Sequence, residues 1–184
     1  MKALKYFSTL LPFLNLLPFL RLLPFFSLLP FFSQTLSGTV YMEAPRDFSP
    51  KVEVVGVFIE NGDEILLLHT QNGKRHAGTW AIPGGKLEKG ETAVQAAARE
   101  TLEETGFAIN PDCLEKVQTV YIKVTEKDHF IYHMVKTTYK GSPESVKISW
   151  REHKGFTWIK PADALNMNLM PDEDPCIRIA YNLF

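Results

Sequence analysis

Hydrophobic and polar positions divide the chain into two stretches with different patterns. Residues 10–33 read LLPFLN, LLPFLR, LLPFFS, LLPFFS, a hexad repeated four times with Pro12, Pro18, Pro24 and Pro30 at one position. The period is too short for a solenoid unit. A proline every six residues removes helical hydrogen bonds and kinks what remains. Residues 10–32 have the length and apolar content of a membrane span. The prolines and Arg21 make it a poor one, because freed backbone groups find no water in lipid. Three readings of residues 1–41 stand side by side. They form a membrane-associated or export-like tail with Lys2 and Lys5 as its basic start, a translated repeat upstream of an initiator at Met42, or a disordered apolar arm. All three put the segment outside the folded core, and any membrane contact runs through residues 1–36 alone.

Beyond a polar linker over 42–51, the pattern becomes that of an ordinary domain over 52–184. Residues 52–59 are a β-branched run that reads as a buried strand. Asn61-Gly62-Asp63 turns it back into a second strand over 64–70. Trp80-Ala81-Ile82 is a short strand that stops at Pro83-Gly84-Gly85. Thr92 with Gln95 forms a capping box, an alanine-rich helix follows over 92–105, and Gly106 ends it. Residues 116–125 and 130–139 read as two strands around a Glu126-Lys127-Asp128 turn, and 155–159 as another. Pro161 opens a short helix, and Asp174-Pro175 a terminal one with Asp174 as its cap. This order predicts an α/β (α+β) domain.

Composition changes the picture by being uneven. The net charge is −1, yet residues 1–41 hold three basic residues and no acidic one. Residues 42–184 therefore hold 17 Lys+Arg and 21 Asp+Glu, a net of −4, which gives no sign of a nucleic-acid partner. Cys113 and Cys176 are too few for a disulfide framework, and their spacing matches no zinc motif. Reduced cysteines of this kind imply a cytoplasmic catalytic domain.

The candidate chemistry lies on the helix over 92–105. Glu100, Glu103 and Glu104 fall at i, i+3 and i+4, within about one third of the circumference. Val94, Ala98, Thr101 and Leu102 fall opposite, as a packing face. Three carboxylates on one face repel each other, and at the C-terminal end the macrodipole disfavours them further. A hard divalent cation would remove that cost. Ala93, Ala96 and Ala97 are read as leaving room for a ligand beside the acids. A solvated acidic face is the plainer alternative.

Gly85, five residues, Glu91, seven residues, then Arg99-Glu100-Thr101-Leu102-Glu103-Glu104-Thr105-Gly106-Phe107 resembles the Nudix box of the Nudix hydrolases. Every fixed position of the box over 85–107 matches, and Thr101 stands where the family usually has a bulkier aliphatic. The flanks, GTWAIPGG before it and EHKGFTWIKPADAL with NLMP after it, agree. The resemblance implies an α/β/α sandwich around a mixed β-sheet and a MutT-like hydrolase of nucleoside diphosphates linked to a further group. It implies Mg²⁺, with Mn²⁺ as substitute, held by Glu100, Glu103, Glu104 and the Gly84 carbonyl. Glu91 and Gly85 would support the cluster and Arg99 would orient Glu100. The general base falls to Glu100 or Glu103, with Glu152 as runner-up.

The expected substrate is a small nucleotide, a nucleoside triphosphate and in particular an oxidised one. ADP-ribose or a nucleotide sugar is the rival within the enzyme class, and a nucleotide-sensing module without catalysis the rival outside it. Asp172 and Glu173 are candidate readers of the base edge, and Trp80 a stacking platform. His129 and His133 share a strand face without a third ligand and read as satisfied strand histidines.

Overall fold

A computed structural model describes residues 40–184 of the chain. The hexad repeats lie outside the described residues. Among those described, no helix is long and apolar enough to cross a membrane. The elements are β1 (Val40–Tyr41), β2 (Pro50–Asn61), β3 (Glu64–Thr70), β4 (Trp80–Ala81), β5 (Gly84–Lys86), α1 (Ala93–Thr105), β6 (Glu115–Lys123), β7 (His129–Thr138), β8 (His153–Ile159), α2 (Pro161–Ala164) and α3 (Glu173–Tyr181).

The eight strands form one mixed sheet. Its main path runs β1-β6-β7-β2-β3-β4, with β8 beside β3 and β5 beside β2. Among the paired strands of the described residues, the central pair, β2 with β7, is parallel and the others are antiparallel. On its other edge β2 pairs with β3 at Glu60 and Asn61, next to the turn, and with β5 at Val54–Gly56. One strand thus carries two partners along one edge, which brings β5 close to the sheet's centre.

Side-chain alternation sorts β2 and β3 between two cores. Val55, Val57, Ile59, Leu66 and Leu68 pack with Ala96, Ala97 and Phe107, under α1. Phe58, Ile65 and Leu67 pack with Tyr132, Met134, Cys176 and Ile177, under α3. A helix therefore covers each face of the mixed sheet, as the resemblance implied.

Several boundaries differ from the sequence reading. The sheet starts before residue 52: Val40 pairs with Ile122, Tyr41 with Tyr121, and β2 begins at Pro50. Residues 42–51 are held as well, because Phe48 stacks on His129 at 5.3 Å and Asp47 meets Lys123 at 2.6 Å. A sparse apolar pattern hid these contacts, which depend on partners about 80 residues away. Gly84-Gly85 is part of a strand instead of the end of one. The last helix starts at Glu173, so Asp174 lies inside its first turn, where it pairs with Arg178 at 2.7 Å. Cys113 is exposed and Cys176 buried, and both are free.

Candidate active site

The acidic helix forms as its ends dictate. Thr92 caps it, accepting from the Gln95 amide at 3.3 Å, while the Gln95 side chain accepts from the Thr92 amide at 2.9 Å. Gly106 ends it with φ 75°, a left-handed conformation that glycine adopts without strain. Ala96, Ala97, Thr101 and Thr105 form its buried stripe. Ala96 and Ala97 therefore bring the helix close to the sheet, and the space expected beside them for a ligand is taken up by the core, while Ala93 is half-buried. Leu102, expected on the packing face, is 52% exposed. The buried stripe is rotated from that expectation because the small side chains, not the bulkiest one, fit against the flat sheet.

Arg99 is the hub of the site. Its Nε and Nη2 each donate to Glu91 at 2.9 Å, a bidentate pair. Nη2 also donates to the Lys86 carbonyl of β5 at 3.0 Å, and Nη1 donates to Glu100 Oε1 at 2.8 Å. Glu103 lies 3.5 Å from Nη1 and is 59% exposed. Glu91 accepts in addition from the Glu88 amide at 2.8 Å. The Arg99 guanidinium holds the Glu91 carboxyl below the usual carboxylate range. Arg99 and Glu91 thus fix the loop before α1 onto the second turn of the helix.

Strand β5 lies along the acidic face. The Gly84 amide donates to Glu104 Oε2 at 2.9 Å. A Cβ at Gly85 would meet the Glu100 carboxylate, so any side chain there would push that acid from its place beside Arg99. Burial raises the Glu100 pKa; Arg99 opposes this, and the charges of Glu104 and Glu103 add to it. A carboxylate so disfavoured gains from a nearby cation, and the donor set is of hard oxygens. The residues therefore fit a divalent metal. Among the described residues, however, no three such side chains already converge on one point. Glu100 is turned to Arg99, and Glu104 to Gly84 and to His153, whose Nε2 lies 3.0 Å from Glu104 Oε1.

Other predicted residues lie apart from this cluster. Glu152 pairs with Lys74 at 2.6 Å on the surface. Trp80 stacks on His69 with centroids 4.3 Å apart and packs against the core under α3. His129 accepts from the Ser49 amide at 3.0 Å, and His133 pairs with Glu53 at 2.7 Å. Asp172 opens α3 with φ 70° and makes no capping hydrogen bond through its side chain. Glu173 is 7% exposed, and its Oε1 is buried without a hydrogen-bond partner. Burial pushes its carboxyl up to about 8; an Ile82 backbone hydrogen bond opposes this, and the Asp172 charge adds to it. Neither the burial of Glu173 nor the reach of His153 to Glu104 had a signal in residue spacing, since both come from contacts between distant segments.

The NUDIX domain family matches residues 50–178. Human 8-oxo-dGDP phosphatase NUDT18 is 33% identical over 149 residues, covering 71% of this chain and 46% of that protein. The chain thus spans about half the length of that relative. The CTP pyrophosphohydrolase of Escherichia coli K12 is 29% identical, covering 69% of this chain and 89% of its own. Among solved structures, the E. coli ORF135 protein superimposes with a TM-score of 0.59 at 27% identity, covering 71% of this chain and 88% of its own. The spacing of acids on α1, the strand laid along them and these likenesses agree: the chain belongs to the NUDIX family.

Proposed function

We propose that the chain hydrolyses the pyrophosphate bond of a nucleotide with the help of a divalent metal, Mg²⁺ first and Mn²⁺ as substitute. The observation that carries this reading is the set of Glu100, Glu103 and Glu104 on one helix end, braced by Arg99, Glu91, Gly84 and Gly85. Glu103, Glu104, Glu100 and the Gly84 carbonyl would hold the metal. When bound, the metal offsets charge on the diphosphate and makes a water more acidic.

The chain's own residues do the rest. Arg99 fixes Glu100 Oε1, so the other oxygen has a defined direction. With one oxygen held by Arg99 and the other open, Glu100 is the group we assign to take the proton of the attacking water. Glu103 is exposed and only loosely held, so it is free to turn toward metal and phosphate. Glu152 is occupied by Lys74 and is the weaker candidate for the base.

We assign the base-reading role to Glu173, with Asp172 beside it. A buried carboxyl that keeps its proton to about pH 8 offers one donor and one acceptor on adjacent oxygens. A purine with a carbonyl and an N–H on one edge, guanine or an oxidised guanine, complements that pair. The names of the human and bacterial relatives, on 8-oxo-dGDP and CTP, support a nucleoside di- or triphosphate over a nucleotide sugar. The test is a panel of nucleoside triphosphates, 8-oxo-dGTP, 8-oxo-dGDP, ADP-ribose and nucleotide sugars, scored for phosphate and pyrophosphate release with Mg²⁺. Fastest turnover of a guanine-type nucleotide is expected. Preference for ADP-ribose or a sugar would overturn the substrate reading, and binding without turnover would overturn the catalytic one.

A further inference from the structure

His153 opens β8, 49 residues beyond the Glu104 that it touches. Its side chain and that of Glu104 are only 12% and 13% exposed, and they meet at 3.0 Å. A carboxylate can only accept, so His153 Nε2 carries the proton of this bond. Nδ1 is buried and makes no hydrogen bond. The ring therefore has one polar partner, the Glu104 carboxylate.

The segment around His153 is built to hold that ring in place. The Lys147 and Ser149 amides donate to the Thr105 and Glu104 carbonyls at 2.8 and 3.1 Å, closing the C-terminal end of α1. The His153 amide folds back to the Ser149 carbonyl at 2.9 Å. From the other side, the Gln71 amide donates to the Glu152 carbonyl at 2.8 Å, and Lys74 grips the Glu152 side chain. The backbone on both sides of the imidazole is thus tied down. Glu104 in turn is held by two donors from different strands: Gly84 N–H on Oε2 and His153 on Oε1. Each oxygen keeps a further lone pair, so a carboxylate fixed in this way remains able to bind a cation.

We propose that His153 is a positioning residue that fixes Glu104 for metal binding, an inference resting on the metal role assigned to Glu104 above. Partners in the outer shell of a metal site restrict the ligand's rotamers before the metal arrives, and their loss typically costs about 10- to 100-fold in affinity. A merely structural role, sealing the loop against the helix, would depend on the size of the side chain and not on where its N–H lies.

The test uses Mn²⁺ as probe, with binding to the metal-free full chain followed by electron paramagnetic resonance and no substrate present. In His153→Gln the amide nitrogen can occupy the place of Nε2, and in His153→Asn it falls short, near the place of Nδ1. His153→Asn and His153→Phe are expected to raise the Mn²⁺ Kd about 10-fold or more, and His153→Gln to stay within about 3-fold of the native chain. Glu104→Gln is expected to weaken Mn²⁺ binding, and adding His153→Asn to it to change little more, because the histidine acts through that carboxylate. If Glu104→Gln binds Mn²⁺ normally, the metal reading itself fails. If Glu104→Gln weakens binding but His153→Asn does not, or the two effects add, the inference fails while the metal reading stands. Equal weakening by Gln and Asn also overturns it. Should His153→Phe not fold, the Gln–Asn pair decides alone, since both are polar and close in size.

Discussion

Replacing Glu173 by glutamine should flatten the pH dependence of stability. The carboxyl, on the first residue of α3, is buried, and its pKa is raised from 4.5 to about 8. The folded chain therefore keeps a proton that the unfolded chain releases near its ordinary value. Between those pH values the unfolded state binds fewer protons, so stability is fully present below about pH 4.5 and falls as pH rises through about 8. At about 1.4 kcal/mol per unit, the whole loss is on the order of 5 kcal/mol, of which about 2.5 kcal/mol falls between about pH 6 and pH 9. Glutamine keeps an acceptor for the Ile82 amide and has no proton to lose. Urea unfolding of both chains, followed by tryptophan fluorescence at about pH 6 and pH 9, measures the difference directly. The native chain should lose about 2.5 kcal/mol more than the variant over that interval. Parallel losses within about 0.5 kcal/mol would refute a carboxyl protonated in the folded state. Taking the difference between two chains removes the titration of all other groups, including the raised Glu100.

The same substitution bears on substrate choice: Glu173→Gln keeps a donor and an acceptor, so kcat/KM for a guanine-type nucleotide should fall less than about 10-fold, whereas Glu173→Leu should lose far more. Gly85→Ala puts a methyl where the Glu100 carboxylate lies; overpacking there should cost about 1–3 kcal/mol in urea unfolding and raise the Mg²⁺ needed for half-maximal turnover. Arg99→Lys keeps the charge but loses the fork that spans Glu91 and Glu100; kcat should drop about 10- to 100-fold in steady-state assays.

The parts of this molecule that depend on local chemistry were legible in the sequence. The capping box, the Gly106 terminus and the i, i+3, i+4 acids all involve residues within a few positions of one another, and each is observed. The β2–β3 turn and the helix on each sheet face followed from alternation and from the resemblance to the Nudix box. What was not legible depends on long-range packing. Gly84-Gly85 reads as a turn because glycine carries no pattern, yet it is a strand because β2 offers it an edge. Ala96 and Ala97 read as open space and are buried, since burial depends on what lies opposite. Glu173 stood out in the sequence only as a candidate to read a base edge, with no sign that it is enclosed, while Glu152, adjacent to His153, turns outward to Lys74.

Whether the acids on α1 make this chain a metal-dependent pyrophosphohydrolase, as we propose, is tested most directly by Glu103→Gln. Glu103 is exposed and outside the buried stripe, so the variant should fold as the native chain does. Turnover of the preferred nucleotide in saturating Mg²⁺ should fall by about 100-fold or more, with thermal unfolding unchanged. Unchanged turnover would contradict the assignment of chemistry to this helix.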